Sequence, residues 1–357
     1  MIRNILNTGT FVLILSAFVF MSCNDKNDDH KASTDTTTVD TVYAKGADVS
    51  WLTEMEYNGD KFYNASGVQI DCIALLKSLG INSIRLRVWV NPTDGWCNKG
   101  DVLAKAWRAY KAGMHIMIDF HYSDTWADPS KQTPPTAWSN CTLAQLEDSV
   151  TAHTKDVLTS LKNHGITPEW VQVGNETDNG MLWPLGKAST SMSNYAALYM
   201  AGYNAAKAVC PNTKVIVHLS GGYSISKYTW IFNGLKSNGA KWDVIGMSVY
   251  PSYYTGYANN KTAVCDTIVT DVVANIQTLY STYNTPVMIC ETGMPWDDAS
   301  TAKTFLTSLI TKTMALGDTK CLGIFYWEPE CYGGWQSYTL GAFNDSGEPT
   351  EAMDAFK

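Results

Sequence analysis

Residues 169–176 read EWVQVGNE: a short run rich in Val and Trp that ends on Gly174, Asn175 and Glu176. Such a run suits a strand, and it lies between two segments of helical period, 143–162 before it and 194–209 after it. The alternation recurs outward in both directions. Strand-like runs begin near Ala44 (AKGADVS), Asn82 (NSIRLRVWV) and Met114 (MHIMIDFHY), then near Thr213 (TKVIVHLS), Trp242 (WDVIGMSVY), Thr285 (TPVMICE) and Cys321 (CLGIFYWE). Helical period returns at 68–79, 103–112 and 267–283, and Gly80, Gly113, Gly165 and Gly239 stand where helices should stop. Eight alternations predict a parallel sheet with right-handed crossovers, closed as a single (β/α)₈ TIM barrel. An open doubly wound sheet would want a Gly-rich phosphate turn after its first strand, and residues 46–50 (GADVS) are not one.

The composition agrees with one large core. Of 357 residues, 45% are hydrophobic and only 17% charged. The formal charge of −8 argues against nucleic acid, whose phosphates call for a basic face. The chain carries 13 Trp and 19 Tyr. Both offer a flat apolar face with one polar atom, which matches the C–H faces and hydroxyl edges of a sugar ring.

The chain starts with Arg3 near its beginning, a mostly apolar run to Met21, then Ser22-Cys23. This pattern reads as a secretory signal and resembles a bacterial lipoprotein leader. The expected organisation is a signal peptide (1–22), a flexible acidic tether (23–42) beginning with lipidated Cys23, and a catalytic domain (43–357). The protein is accordingly expected to be exported and lipid-anchored to the outer membrane, at its surface or periplasmic face, as a monomer. The anchor would be its only membrane contact, because no later segment is long and apolar enough to span a bilayer. Eight further Cys contain no CxxC pair, so zinc-ribbon spacing is absent. Cys290 and Cys321 sit in apolar runs and suit plain buried thiols.

In a barrel, catalytic groups belong at the C-terminal ends of strands. Strand four ends on Asn175-Glu176, and strand seven ends on Glu291. Two carboxylates at one rim suit glycoside hydrolysis: one protonates the leaving oxygen, the other, ionised, attacks C1. Metal binding through His115, His121 and Asp124 is the competing use of the strand-three segment. However, His115 and His121 lie about 20 Å apart along an extended strand, too far for one coordination sphere. No metal or other cofactor is expected.

The motifs make the comparison specific. Residues 46–50 (GADVS), 85–92 (RLRVWVNP), 119–129 (DFHYSDTWADP), 170–177 (WVQVGNET), 180–186 (GMLWPLG), 291–296 (ETGMPW) and 326–329 (YWEP) occur in this order. From about Ala44 to the C-terminus the chain resembles the arabinogalactan endo-β-1,4-galactanases, glycoside hydrolase family 53, within the clan of retaining (β/α)₈ glycosidases. The resemblance implies Glu176 as acid/base and Glu291 as nucleophile, acting on β-1,4-galactan side chains of pectin. It further implies that Asn175 donates to the sugar 2-hydroxyl, Tyr250 hydrogen-bonds the nucleophile and Trp327 forms the platform under the sugar. Arg87 is the expected arginine beside the nucleophile, being nearer the rim, with Arg85, of the same parity, as the alternative. Asp48, His121, Asp124, Trp126 and His218 are expected polar or stacking contacts. Trp89, Trp183, Trp296 and Trp335 are candidate subsite rings. Some bacterial relatives carry a structural calcium; here no carboxylate lies between Tyr250 and Asp266, which counts against one, although Asp297, Asp298 and Asp345 leave some room. The rival readings are another retaining endo-glycanase of the clan, acting on mannan, xylan or glucan, and a glycan-binding lipoprotein without turnover.

Overall fold

Each of the eight expected runs forms a strand in the computed structural model, which describes residues 43–357. The leader, Cys23 and the tether lie outside the described residues. The strands are β1 (Ala44–Asp48), β2 (Ser83–Val88), β3 (His115–Phe120), β4 (Trp170–Val173), β5 (Lys214–Leu219), β6 (Val244–Val249), β7 (Val287–Thr292) and β8 (Cys321–Trp327). All neighbours pair in parallel, and β1 bonds both β2 and β8, which closes the barrel.

Two helices, α1 (Leu52–Asn58) and α2 (Cys72–Ser78), separate β1 from β2. One helix follows each of the next six strands: α3 (Lys99–Lys111), α4 (Leu143–Asn163), α5 (Met192–Val209), α6 (Ile225–Ser237), α7 (Lys261–Tyr283) and α8 (Ala299–Met314). After β8 come only short 3₁₀ turns, the last at Glu351–Phe356. Helix starts depart from the hydrophobic period because polar caps set them. Asp71 accepts from Ala74 N–H, so α2 begins at Cys72 rather than at 68. Asn260 caps α7, which starts at Lys261, six residues ahead of its expected start at 267. Gly80, which follows α2, has φ +96°, and a Cβ there would lie 2.1 Å from the Phe356 carbonyl, so only glycine fits the turn. Among the described residues no helix is long and apolar enough to cross a membrane.

The period of two divides the strand side chains. Ile84, Leu86, Val88, Ile116 and Ile118 face the helices and build the outer core. Met117, Trp170, Ile216, Met288 and Phe325 fill the lumen. Gly46 makes room there, since a Cβ would stand 2.2 Å from the Phe325 ring. Inward positions nearer the strands' C-terminal ends carry Asp48, Arg85, Arg87, Asp119, Gln172, His218 and Glu291, all buried. This polar layer rests on an apolar plug and opens upward to the rim loops.

Candidate active site

The rim loops enclose a cleft of about 990 Å³ at the C-terminal face. Glu176, Glu291, Asn175, Tyr250 and Trp327 line it. Glu291 lies on β7, and Glu176 lies three residues past the end of β4.

Glu291 is held by two contacts. Arg85 Nη2 stands 2.8 Å from its Oε1, and Tyr250 OH donates to Oε2 at 3.0 Å. Arg85 is the hub of the polar layer. Its Nε donates to Gln172 at 2.6 Å, Nη1 to Asp48 at 2.6 Å, and Nη2 also to Asp119 at 2.9 Å and Asn175 Oδ1 at 3.0 Å. Burial alone would raise Asp119, but Arg85 and His121 outweigh it and hold that carboxyl at about 2. Burial likewise pushes Glu291 up, and Arg85 pulls it back, to about 7. Among the described residues no cation pairs with Glu176. Burial first, and then the Glu291 charge, hold it well above the ordinary carboxylate range. Of the two, Glu291, with Arg85 against it, is therefore the more readily ionised.

Asn175 is fixed from below. Its Oδ1 accepts from Arg85 and from His218 Nδ1 at 3.0 Å, and its Nδ2 donates to Ala127 O at 2.8 Å. One N–H of that amide remains for the cleft. Burial and Arg85 keep His218 far below its usual pKa, so it is neutral, and its Nε2 lies 2.9 Å from Ser248 Oγ. The backbone prepares this corner. Gly174 has φ +91° and Glu176 φ +43°, which turn the chain sharply out of β4.

Arg87 corrects an expectation. It does not meet Glu291; its Nη1 donates to Glu328 Oε1 at 2.5 Å. One pleat further up β2, the side chain turns instead toward the residue that follows β8. Its guanidinium lies 4.2 Å from the Trp126 ring centre, 4.9 Å from Trp51, 5.2 Å from Trp89 and 6.0 Å from Trp327. The alternative, Arg85, makes the expected contact. Asp48 and His218 are also buried beneath the cleft rather than lining it, and they brace Arg85 and Asn175.

His121, Asp124, Trp126 and Trp89 do line the cleft. His121 Nδ1 accepts from Trp89 Nε1 at 3.3 Å and from Ala127 N at 3.1 Å, while Nε2 faces Asp119 at 3.0 Å. Both Asp124 oxygens accept backbone N–H groups, from Asn91 and Thr136, so this carboxylate ties loops together. Trp183, Trp296 and Trp335 do not line the cleft, which corrects their assignment as subsite rings. Trp183 donates to Asn179 O within its own loop, Trp296 is 40% exposed outside the cleft, and Trp335 packs against the hydrophobic core. At the other end of β3, His115 pairs with Glu169 at 2.7 Å, away from His121. Among the described residues no three His, Cys, Asp or Glu side chains converge as metal ligands would.

Sequence reasoning missed Trp51, Tyr338, Glu54, Ser248 and Tyr253, which line the cleft, and Glu328 with Glu330 beneath it. Trp51 directly follows the 46–50 motif and Glu328 lies inside YWEP, so adjacency to matched motifs was the available signal.

The match of the chain to a family model decides the classification: residues 44–356 fit the model of glycosyl hydrolase family 53. The chain belongs to glycosyl hydrolase family 53. It is 33% identical over 306 residues to the probable arabinogalactan endo-β-1,4-galactanase A of Neosartorya fischeri, covering 80% of this chain and 83% of that protein. Among solved structures it is similar to the family 53 catalytic domain of Ignisphaera aggregans, with a TM-score of 0.79 and 29% identity over 90% of this chain and 97% of that one. A fungal β-1,4-galactanase superposes with a TM-score of 0.79 at 28% identity, covering 88% and 98%. For a family 53 chain, the polar layer under Glu291 is the machinery that the sequence motifs encode.

Proposed function

We propose that this protein is an endo-acting β-1,4-galactanase that cleaves internal bonds of galactan side chains of pectin with retention of configuration. The observation that carries the reading is the pair of carboxyls in one cleft with unequal surroundings: Glu291 on Arg85 and Tyr250, Glu176 without a paired cation among the described residues. Glu291 attacks C1 of the bound galactosyl residue while Glu176 delivers its proton to the departing O4. The galactosyl–Glu291 ester is then hydrolysed by a water that Glu176, now ionised, deprotonates. Asn175 offers its free N–H to the 2-hydroxyl, where a hydrogen bond strengthens as positive charge develops on the ring. Family membership and the similarity to galactanases support the substrate. Following the first product by NMR on unbranched β-1,4-galactan tests the reading. A β-anomer appearing before mutarotation is the expected result; an α-anomer first, or release from mannan or xylan but not galactan, would overturn it.

We infer further that the chain is exported and anchored through a lipid on Cys23, on the strength of the leader pattern alone. Cys23→Ser should then move the protein from the membrane fraction to the soluble one, and retention in membranes would refute the anchor.

A further inference from the structure

Beyond the cleft end formed by the β1, β2 and β8 loops stands a second pair of rings. Tyr57, on α1, is 80% exposed, and its ring centre lies 5.5 Å from that of Trp96, on the loop after β2. Neither ring lines the cleft itself, but each stands within three residues of a side chain that does, Glu54 and Asp94. Trp51, Glu54 and Tyr57 follow one another at three-residue spacing along one helical face, and the first two line the cleft. At 1.5 Å per residue, Tyr57 lies roughly 9 Å beyond Trp51 along α1. On the other loop Asp94 lines the cleft, and Trp96 N–H donates to Asp94 Oδ1 at 3.1 Å. The Trp96 loop is fixed: Cys97 O accepts from Trp89 N–H at 2.9 Å and Cys97 N–H donates to Asp101 at 2.7 Å. Glu54 and Asp94 place hydroxyl acceptors between the inner and outer rings, and Gln336 Nε2 reaches Glu54 at 3.4 Å. Of the other exposed rings, Trp107, Tyr110 and Trp230 sit on α3 and α6, whereas Tyr253 and Trp296 belong to the loops after β6 and β7.

We propose that Tyr57 and Trp96 form an outer subsite that holds a distant galactose residue of a long β-1,4-galactan chain, with Glu54 and Asp94 binding hydroxyls on the way. The proposal rests on the galactanase reading and extends it. Glu176 lies just past β4, so the departing part of the chain occupies the side of the β4 and β5 loops. The β1–β2–β8 end therefore holds the glycone, and Tyr57 and Trp96 mark its far limit.

The test compares kcat/KM on long β-1,4-galactan with kcat/KM on galactotriose, which is too short to reach from the cleavage point to the outer rings. In the Tyr57→Ala, Trp96→Ala double variant the ratio of the two should fall about 3- to 10-fold, the range of one aromatic contact. Tyr57→Phe, which keeps the ring, should retain the ratio. An unchanged ratio in the double variant, or an equal loss on both substrates, would overturn the outer subsite. Wild-type protein that fails on galactan altogether would instead overturn the galactanase reading beneath it.

Discussion

Arg85 and Arg87 stand two residues apart on β2, share a face and serve different carboxylates. Arg85 meets Glu291, and Arg87 meets Glu328. That both point inward was legible from the period of two. Which of them reaches the nucleophile was not, because depth in the lumen is set by the barrel's shear and strand tilt. In the proposed mechanism the rate requires Glu291 ionised and Glu176 protonated, so activity should fall below the apparent pKa of the first and above that of the second. Removing the Arg85 cation raises the pKa of Glu291. Arg85→Gln should therefore move the acid limb of kcat/KM upward by about one pH unit or more, with a loss of activity. Arg87→Gln should leave that limb in place. A pH–rate profile of both variants checks this, and an acid limb that moves only in Arg87→Gln would assign the roles the other way. Glu176→Gln should lower kcat about 10²- to 10⁴-fold on galactan, as expected for loss of a general acid and base.

At the scale of elements, the ends of β4 and β8 carry the strain and the buried charge. A Cβ on Gly174 would approach Thr177 Cγ2 to 2.5 Å at a φ of +91°. Gly174→Ala should cost about 1–3 kcal/mol and displace Asn175 and Glu176, visible as a lower melting temperature together with a lower kcat/KM. Past the end of β8, Glu330 is fully buried beside the Glu328 carboxyl, and no cation among the described residues pairs with it. Burial holds Glu330 well above its ordinary pKa and brings Glu328 to about 7. Groups whose folded pKa is raised stabilise the fold fully below their unfolded pKa, near 4.3, and that stability is lost as pH rises through the folded values. Glu330→Gln keeps a neutral donor toward Glu328. It should therefore melt about 2–4 °C above wild type at pH 8.5 and close to wild type at pH 5. Equal melting temperatures at pH 8.5 would mean that the pair carries no such penalty. The strand sequence around this pair was legible and its acidity was not, because Glu330 lies outside every matched motif.

The barrel was legible because its first seven strands each lead into a helical stretch, although β1 is followed by two helices and β8 by 3₁₀ turns alone. The eight strands fall on the eight expected runs, from Ala44 to Trp327. What the sequence could not place were loop side chains. Trp183, Trp296 and Trp335 occupy rim loops yet turn away from the cleft, whereas Trp51 enters it, since loop conformation follows tertiary contacts rather than periodicity. The same molecule-wide view makes a prediction about redox conditions. The eight described cysteines are free thiols, seven of them buried, so no cross-link holds the barrel. Its melting temperature should move by less than about 1 °C when a reducing agent is added, and a drop of several degrees would reveal disulfides. The carboxyl pair is tested most directly by a product time course on unbranched β-1,4-galactan for wild type, Glu176→Gln and Glu291→Gln. Short galacto-oligosaccharides should appear early with wild type and vanish in both variants. Full activity in either variant, or no products from galactan with wild type, would contradict the assignment.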